Sequence, residues 1–270
     1  MVSLVLPRLV SFEVAPRRAA SVAERNVAAL KSAYWIVLVS GFFEPLLYLL
    51  SIGVGVGALV GDIPLPGGGV VSYAAFVAPA MLSASAMSGA LSETTFNFFG
   101  KMKYMKLYDG IIATPVQPFE IALGELGWAM IRGTLYSAAF LGVMVAMDLT
   151  SAGRALAAFP ATVLVGFAFG ALGMTLSTFM RSWQDFDLIG SLQFALFLFS
   201  GTFVPAEAYP LVLRWVVELT PLYRAVELIR GITTGGADGW GQVINVGYLL
   251  ALVAVGLIIA SRRMGRLLSK

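Results

Sequence analysis

The sequence predicts an all-α integral membrane protein with six transmembrane helices, and three observations carry that prediction. Apolar residues make up 59% of the chain against 12% charged, with a mean hydropathy of +0.86. That is too little polar surface for a water-soluble globule, where charged residues alone approach about a quarter. Six apolar runs come near the roughly 20 residues that a bilayer core demands. Lysine and arginine are shared unevenly between the two sets of connections, the asymmetry that orients membrane helices.

The chain divides at 1–33, 34–262 and 263–270. The stretch Met1–Val14 is a short apolar run broken by Pro7 and Arg8, with no small-residue cleavage site after it, so no removable signal peptide is expected. Residues 16–33 open on Arg17 and Arg18 and place Val22, Val27 and Leu30 roughly on one helical side, with Arg25 and Lys31 elsewhere. This reads as an interfacial amphipathic helix on the cytoplasmic leaflet, with an ordinary charged tail as the alternative.

The six expected spans are Tyr34–Leu59, Val70–Phe96, Ile121–Met147, Ala157–Met180, Phe186–Val204 and Val243–Ala260. With both termini cytoplasmic, thirteen lysines and arginines fall inside, among them Arg17, Arg18, Lys101, Lys103, Lys106, Arg262 and Arg263. Only Arg154, Arg214, Arg224 and Arg230 fall outside, and Arg132 lies within a span. A five- or seven-span count would separate Arg262 and Arg263 from Arg17 and Arg18. In the first span Gly53, Gly57 and Gly61 recur every fourth residue, spacing that lets helix backbones approach within a bundle or dimer. Gly166, Gly170 and Gly173 repeat the theme in the fourth.

The stretch Asn97–Glu125 between the second and third spans holds Lys101, Lys103 and Lys106 beside Tyr104, Tyr108 and Asp109, ahead of Pro115 and Pro118. It reads as a cytoplasmic loop and short helix on which a separate motor protein docks, or as a solvated connector anchored by positive charge. In the docking reading Leu107, Tyr108, Ile111 and Ile112 supply apolar contact, Asp109 lies among them, and the lysines guide the encounter. The prolines would end the helix and fix the turn into the next span. Between the fifth and sixth spans, Phe203–Gln242 is too polar to cross a membrane and too apolar for a free loop. Pro205, Pro210 and Pro221 start or break short helices there, read as dipping into the outer leaflet and returning, or as a small extracellular cap.

Charged groups within spans are expensive and face a partner or a wet cavity. Glu44, Glu93, Glu125 and Arg132 are the cases here. Glu93 and Arg132 are expected to pair across the second and third spans, as a structural ion pair or as a substrate contact. Several aromatics, including Trp128, Tyr136, Phe197 and Phe203, are candidates to line a conduit, although most will face lipid or other helices.

The absence of histidine and cysteine removes the commonest general base, the commonest metal ligand and thiolate chemistry. A formal charge of +3 gives no reason to expect a nucleic acid partner. No Gly-x-x-x-x-Gly-Lys-Ser/Thr loop occurs, so the chain shows no means of cradling ATP phosphates itself.

Read together, Tyr108-Asp109-Gly110 followed by Ala113-Thr114-Pro115, then Leu123-Gly124-Glu125, Phe199-Ser200-Gly201-Thr202-Phe203-Val204-Pro205 and Pro221-Leu222-Tyr223-Arg224 with Arg230 beyond resemble the membrane subunit of ABC-2 type exporters. The nodulation-factor (lipo-oligosaccharide) and daunorubicin-resistance permeases have this pattern, and the likeness covers about residues 20–262. Tyr209 stands ahead of Pro210, where the pattern prefers a small or aliphatic residue. The resemblance implies a dimer of six-helix subunits in the inner membrane, formed with an identical or sister permease. It implies a cytoplasmic coupling helix and two separate ATPase subunits that bind the ATP and Mg, this chain holding no cofactor. It also implies re-entrant helices, carrying Arg224 and Arg230, before the last span. The expected function is ATP-driven export of a lipid-linked, glycolipid or amphipathic drug-like molecule. An ion-coupled secondary transporter is the alternative, and an intramembrane enzyme would lack its usual residues.

Overall fold

The computed structural model describes residues 16–29, 43, 46, 47, 49–65, 69–236 and 238–268. Most of the first expected span lies outside these residues, as does Glu44. What is described of that span ends in π-helical turns, Leu49–Val56, and one α-helical turn, Gly57–Val60 (α2). Gly57 of the expected packing triplet lies near Tyr73, and Gly53 falls within the π-helical stretch. Gly61 ends the helix in a turn at φ +75°, with open space around it within the chain.

The first departure from a purely helical chain follows at once. Asp62–Leu65 (β1) and Gly69–Ser72 (β2) pair antiparallel, Ile63 opposite Val71. The composition is that of a hairpin, with β-branched residues flanking a Pro-Gly-Gly connection in the sequence. It takes Val70, Val71 and Ser72 from the expected second span.

Among the described residues four helices are long and apolar enough to cross a membrane. They are α3 (Tyr73–Tyr104), α5 (Pro118–Ala146), α6 (Ala152–Ser177) and α10 (Gly239–Leu268). At 1.5 Å per residue they measure about 39–48 Å, more than a hydrocarbon core of about 30 Å. Six spans were expected, and the fifth is the clear difference. Its helix, α7 (Phe186–Leu198), has 13 residues, about 20 Å. The apolar run continues, but Gly201 at φ +69° and the Ser200–Thr202 hydroxyl bond of 2.7 Å fold residues 199–204 into turns. The basic tail expected at 263–270 is helical as far as Leu268, as part of α10.

Sequence chemistry explains the helix starts. Gln117 and Glu120 form a reciprocal capping box ahead of Pro118 at the head of α5. Ser151 caps α6. Thr220 caps α9 (Pro221–Thr234), with Pro221 in its first turn. The short helix α8 (Leu211–Leu219) precedes it, introduced by Pro210.

The core is built on α6, which packs against α3, α5, α9 and α10. Phe76, Leu82, Leu126, Phe140, Val165, Phe169, Met174, Ile229 and Leu249 fill it. Small residues bring the helices together, as expected where lipid gives no hydrophobic drive to associate. A Cβ on Gly166 would stand 2.9 Å from Met130 Sδ, and one on Gly256 would stand 2.9 Å from the Ala171 carbonyl carbon.

Candidate functional site

The connection between α3 and α5 leaves the bundle as one short helix, α4 (Leu107–Ile112). Lys106, just before it, takes a left-handed conformation (φ 48°), an uncommon one for a residue with a side chain. Around this turn Lys103, Tyr104, Met105, Lys106, Asp109 and Gly110 are exposed, while Leu107, Ile111 and Ile112 are half-buried. Ile111 and Ile112 pack on the core beneath.

Tyr108 corrects the sequence reading. Expected as a surface contact, its side chain has no exposed area at all. Its ring lies 5.2 Å from that of Phe98. Its hydroxyl makes no hydrogen bond in the described structure, and burial, then the charge of Glu125, pushes its pKa well above the usual tyrosine value. The reason is amphipathicity within one turn and a half: with Asp109 and Gly110 facing out, the large ring faces in.

Under α4 lies a polar centre that the sequence did not disclose. Glu125, on the second turn of α5 and buried, accepts from Lys101 Nζ at 2.6 Å, Arg25 Nη2 at 2.9 Å and Asn26 Nδ2 at 3.0 Å. Lys101 Nζ also donates to Asn26 Oδ1 at 3.1 Å. One carboxylate therefore ties together the end of α3, the head of α5 and α1 (Pro16–Ala29), with Tyr108 of α4 beside it. Charge-assisted bonds of this kind are among the stronger ones available to a side chain.

Gly124 allows the contact, because a Cβ there would stand 2.6 Å from both Val22 Cβ and the Ala19 carbonyl oxygen. Arg18 adds a bond to the Pro115 carbonyl at 3.0 Å. So α1, expected to lie on the membrane surface, is fastened along α5. Glu125 had been noted as a charge within a span. What hid its role is that its partners lie 24 and 100 positions away.

The expected lysine trio is split accordingly. Lys101 belongs to the buried centre. Lys103 donates to the carbonyls of Met180 (3.5 Å) and Arg181 (3.2 Å) and lies over the Phe99 ring. Lys106 has no hydrogen bond or ion pair among the described residues. Beside Lys103, Tyr104 stacks on Trp183 with centroids 5.2 Å apart, and Phe96, Phe99 and Phe186 complete the cluster. This cluster joins the α4 loop to the α6–α7 connection. In that connection the Asp185 carboxylate accepts from the Arg181 and Ser182 amides, which holds its pKa below the usual value. Arg263 of α10 closes the same end, bonding Thr178 (3.1 and 3.2 Å) and covering the Phe179 ring.

Deeper in the bundle Arg132 Nη1 donates to Glu93 Oε1, and Asn97 donates to the same carboxylate at 2.9 Å. Glu93 sits in a π-helical segment of α3, Ser92–Asn97, where Thr94 and Thr95 bond back to carbonyls four residues earlier. At the opposite end, Arg230 is buried and donates to the carbonyls of Gly201 (2.7 Å) and Phe76 (3.2 Å) and to Glu227 (2.8 Å). It thus holds the turns after α7 and the head of α3 onto α9. Pro205 precedes the 3-10 turn Ala206–Ala208, and Arg224 reaches Asn245 at 3.5 Å. Helix α9 has no exposed residue, half of its residues being buried, whereas α8 exposes Leu211, Val212, Trp215 and Leu219.

The residue pattern of the ABC-2 type transporter family matches residues 20–234, which includes most of α1, then α4, the Glu125 centre and α9. The chain belongs to that family. Among its curated relatives, Nodulation protein J of Rhizobium leguminosarum bv. trifolii is 34% identical over 212 residues, 78% of this chain and 79% of the relative. Nodulation protein J of Rhizobium leguminosarum bv. viciae is 28% identical over 248 residues, 91% and 93% of the two chains. That of Rhizobium meliloti (strain 1021) is 30% identical over 212 residues, 78% and 79%. This ABC-2 permease is therefore a multi-pass membrane protein of a family whose members are membrane subunits, not themselves catalytic.

Proposed function

We propose that the chain is the membrane-spanning subunit of an ATP-driven exporter in the cytoplasmic membrane, with α4 and both termini on the cytoplasmic side. Two copies of a separate ABC ATPase bind the ATP and Mg and grip the α4 loop, and a second permease, identical or a sister chain, completes the conduit. The cargo is an amphipathic molecule of the lipid-linked or glycolipid kind, or a drug-like one.

The observation that carries this reading is mechanical. The α4 loop packs on the end of α3 and on α10, with Tyr108 beside the Glu125 carboxylate that ties α1, α3 and α5 together, so a pull on α4 reaches α3 and α10 directly and α1 and α5 through that centre. Packed elements shift as units. A flexible connector would absorb such a pull. The contact surface comprises Lys103, Lys106 and Asp109, with Leu107, Ile111 and Ile112 at its half-buried edge, and Tyr108 acts from inside as a spacer.

The test is co-expression with a candidate ABC ATPase and purification through the permease. Lys106→Glu combined with Asp109→Lys is expected to cut recovery of the ATPase and nucleotide-dependent transport by about tenfold, the scale of losing one or two charged contacts. The level of the permease in the membrane should hold. Transport by the purified permease alone, without nucleotide, would overturn the proposal.

A further inference from the structure

The last carbonyls of an α-helix attract cations, and the end of α6 gathers two from distant elements. Lys103 Nζ donates to the carbonyls of Met180 and Arg181, and Arg263 donates through Nε and Nη2 to the hydroxyl and carbonyl of Thr178. Arg181, in the same turn, is exposed, and its side chain makes no hydrogen bond or salt bridge among the described residues. Asp185 offsets one of the three charges, but its Oδ2 already accepts from the Arg181 and Ser182 amides. The patch therefore keeps about two positive charges in excess.

Two features set it apart from cations that merely anchor a helix end. The first is rigidity. The Arg263 guanidinium lies 3.6 Å above the Phe179 ring centroid and is bonded along one side by Thr178, which leaves Nη1 without a hydrogen bond among the described residues. The second is the surface that adjoins it. Phe96, Phe179 and Trp183 are exposed, and the Phe96 and Trp183 rings touch with centroids 4.5 Å apart. Phe96 lies seven residues, about 10 Å, further up α3 than Lys103. The open surface thus passes from rings to cations at the ends of three long helices, where aromatic side chains mark the edge of a bilayer.

We infer that this end of α6 seats the phosphate of an anionic phospholipid between Arg181 and Arg263, with Lys103 on the side of the α4 loop and the acyl chains along Phe96 and Trp183. Guanidinium groups bond phosphate oxygens in pairs, and basic pockets between membrane helices favour anionic head groups. A phosphatidylcholine would bring its trimethylammonium against the same cations, whereas the glycerol of phosphatidylglycerol adds no charge. The inference requires only that the bundle stands in a membrane, and it holds whatever the chain transports.

The full-length chain in detergent is titrated with phosphatidylglycerol, and separately with phosphatidylcholine of the same acyl chains, and binding is read by native mass spectrometry. The first phosphatidylglycerol should bind about 30-fold more tightly than the first phosphatidylcholine, the worth of two basic charges beside an anionic head group. Arg181→Gln and Arg263→Gln should each weaken phosphatidylglycerol binding about fivefold. Lys106→Gln takes one cation from the same end of the bundle without a bond to α6, and should change it less than about twofold. Arg181 carries the test should Arg263→Gln lower the melting temperature, because its side chain holds nothing in the described structure.

Equal affinity for the two lipids would overturn the inference. So would an equal loss in all three variants, which would mean a diffuse attraction without a seat. Unchanged lipid binding by Arg181→Gln together with loss of a co-purified ATPase would also overturn it, by giving the surface to a protein. No nucleotide or ATPase enters the lipid titration, so its failure is distinct from failure of the export reading.

Discussion

Glu125→Ala withdraws the carboxylate that Arg25 and Lys101 share. Removing one partner of a buried ion pair costs about 3–5 kcal/mol, because the partner is left charged and unpaired. Here Arg25 keeps 33% of its side chain in solvent and Lys101 keeps 19%, so part of each charge rehydrates and the expected cost falls to about 2–3 kcal/mol. At 1.4 kcal/mol per decade this raises the population with α1 detached by about 30- to 150-fold. Trypsin reads that population directly when opening is fast relative to cleavage, since α1 carries Arg17, Arg18 and Arg25. Cleavage within α1 should accelerate by a comparable factor, while cleavage at Arg263 and Arg266, at the far end of α10, stays near its original rate. Lys101→Met, alone and combined with Glu125→Ala, completes a double-mutant cycle in which the two effects should not add. Cleavage of α1 within about twofold of the parent, well short of the factor calculated from the ion-pair cost, would refute the reasoning: α1 would then be held by apolar packing and the carboxylate would be incidental.

Other substitutions probe the remaining supports. Gly124→Val should displace α1 without touching a charge, because even its Cβ would meet Val22 and the Ala19 carbonyl at 2.6 Å; overpacking of this kind costs about 1–3 kcal/mol, and trypsin sensitivity of α1 measures it. Tyr108→Phe should leave thermal stability unchanged or raise it by up to about 1 kcal/mol, since the lost hydroxyl is buried without a hydrogen bond; a fall in the melting temperature would mean that the hydroxyl is bonded. Arg230→Met should destabilise by about 3 kcal/mol or more through loss of the bonds to Gly201 and Phe76, read as a lower melting temperature and looser protease protection of residues 199–210.

How much of this could be read from the chain depends on the length scale of the signal. The spans that became α3, α5, α6 and α10 announce themselves by composition over more than twenty residues, and the loop between α3 and α5 by its lysines and prolines. The run Phe186–Val204 has the right composition too, but Ser200 and Gly201 end its helix early, a local backbone effect that hydropathy averages away. The hairpin was hidden for the opposite reason: four-residue strands are too short to stand out beside membrane spans. Glu93 and Arg132 meet in space, and their helical positions alone suggested they could. Glu125 was visible as a misplaced charge, but its donors are spread from α1 to the end of α3, and Tyr108 looked like a surface aromatic until its neighbours were known. Pairwise geometry across distant segments leaves no periodic trace in one sequence.

The fastening of α1 also imposes an order on biosynthesis. Arg25 leaves the ribosome 100 residues before its acceptor, Glu125; at about 5–20 residues per second that is a wait of roughly 5–20 seconds. Throughout it the amino-terminal segment has no seat, and a chain stalled anywhere before α5 is threaded leaves this segment open to membrane proteases. The segment translated first thus becomes a checkpoint, secured only once the third long apolar stretch has been delivered.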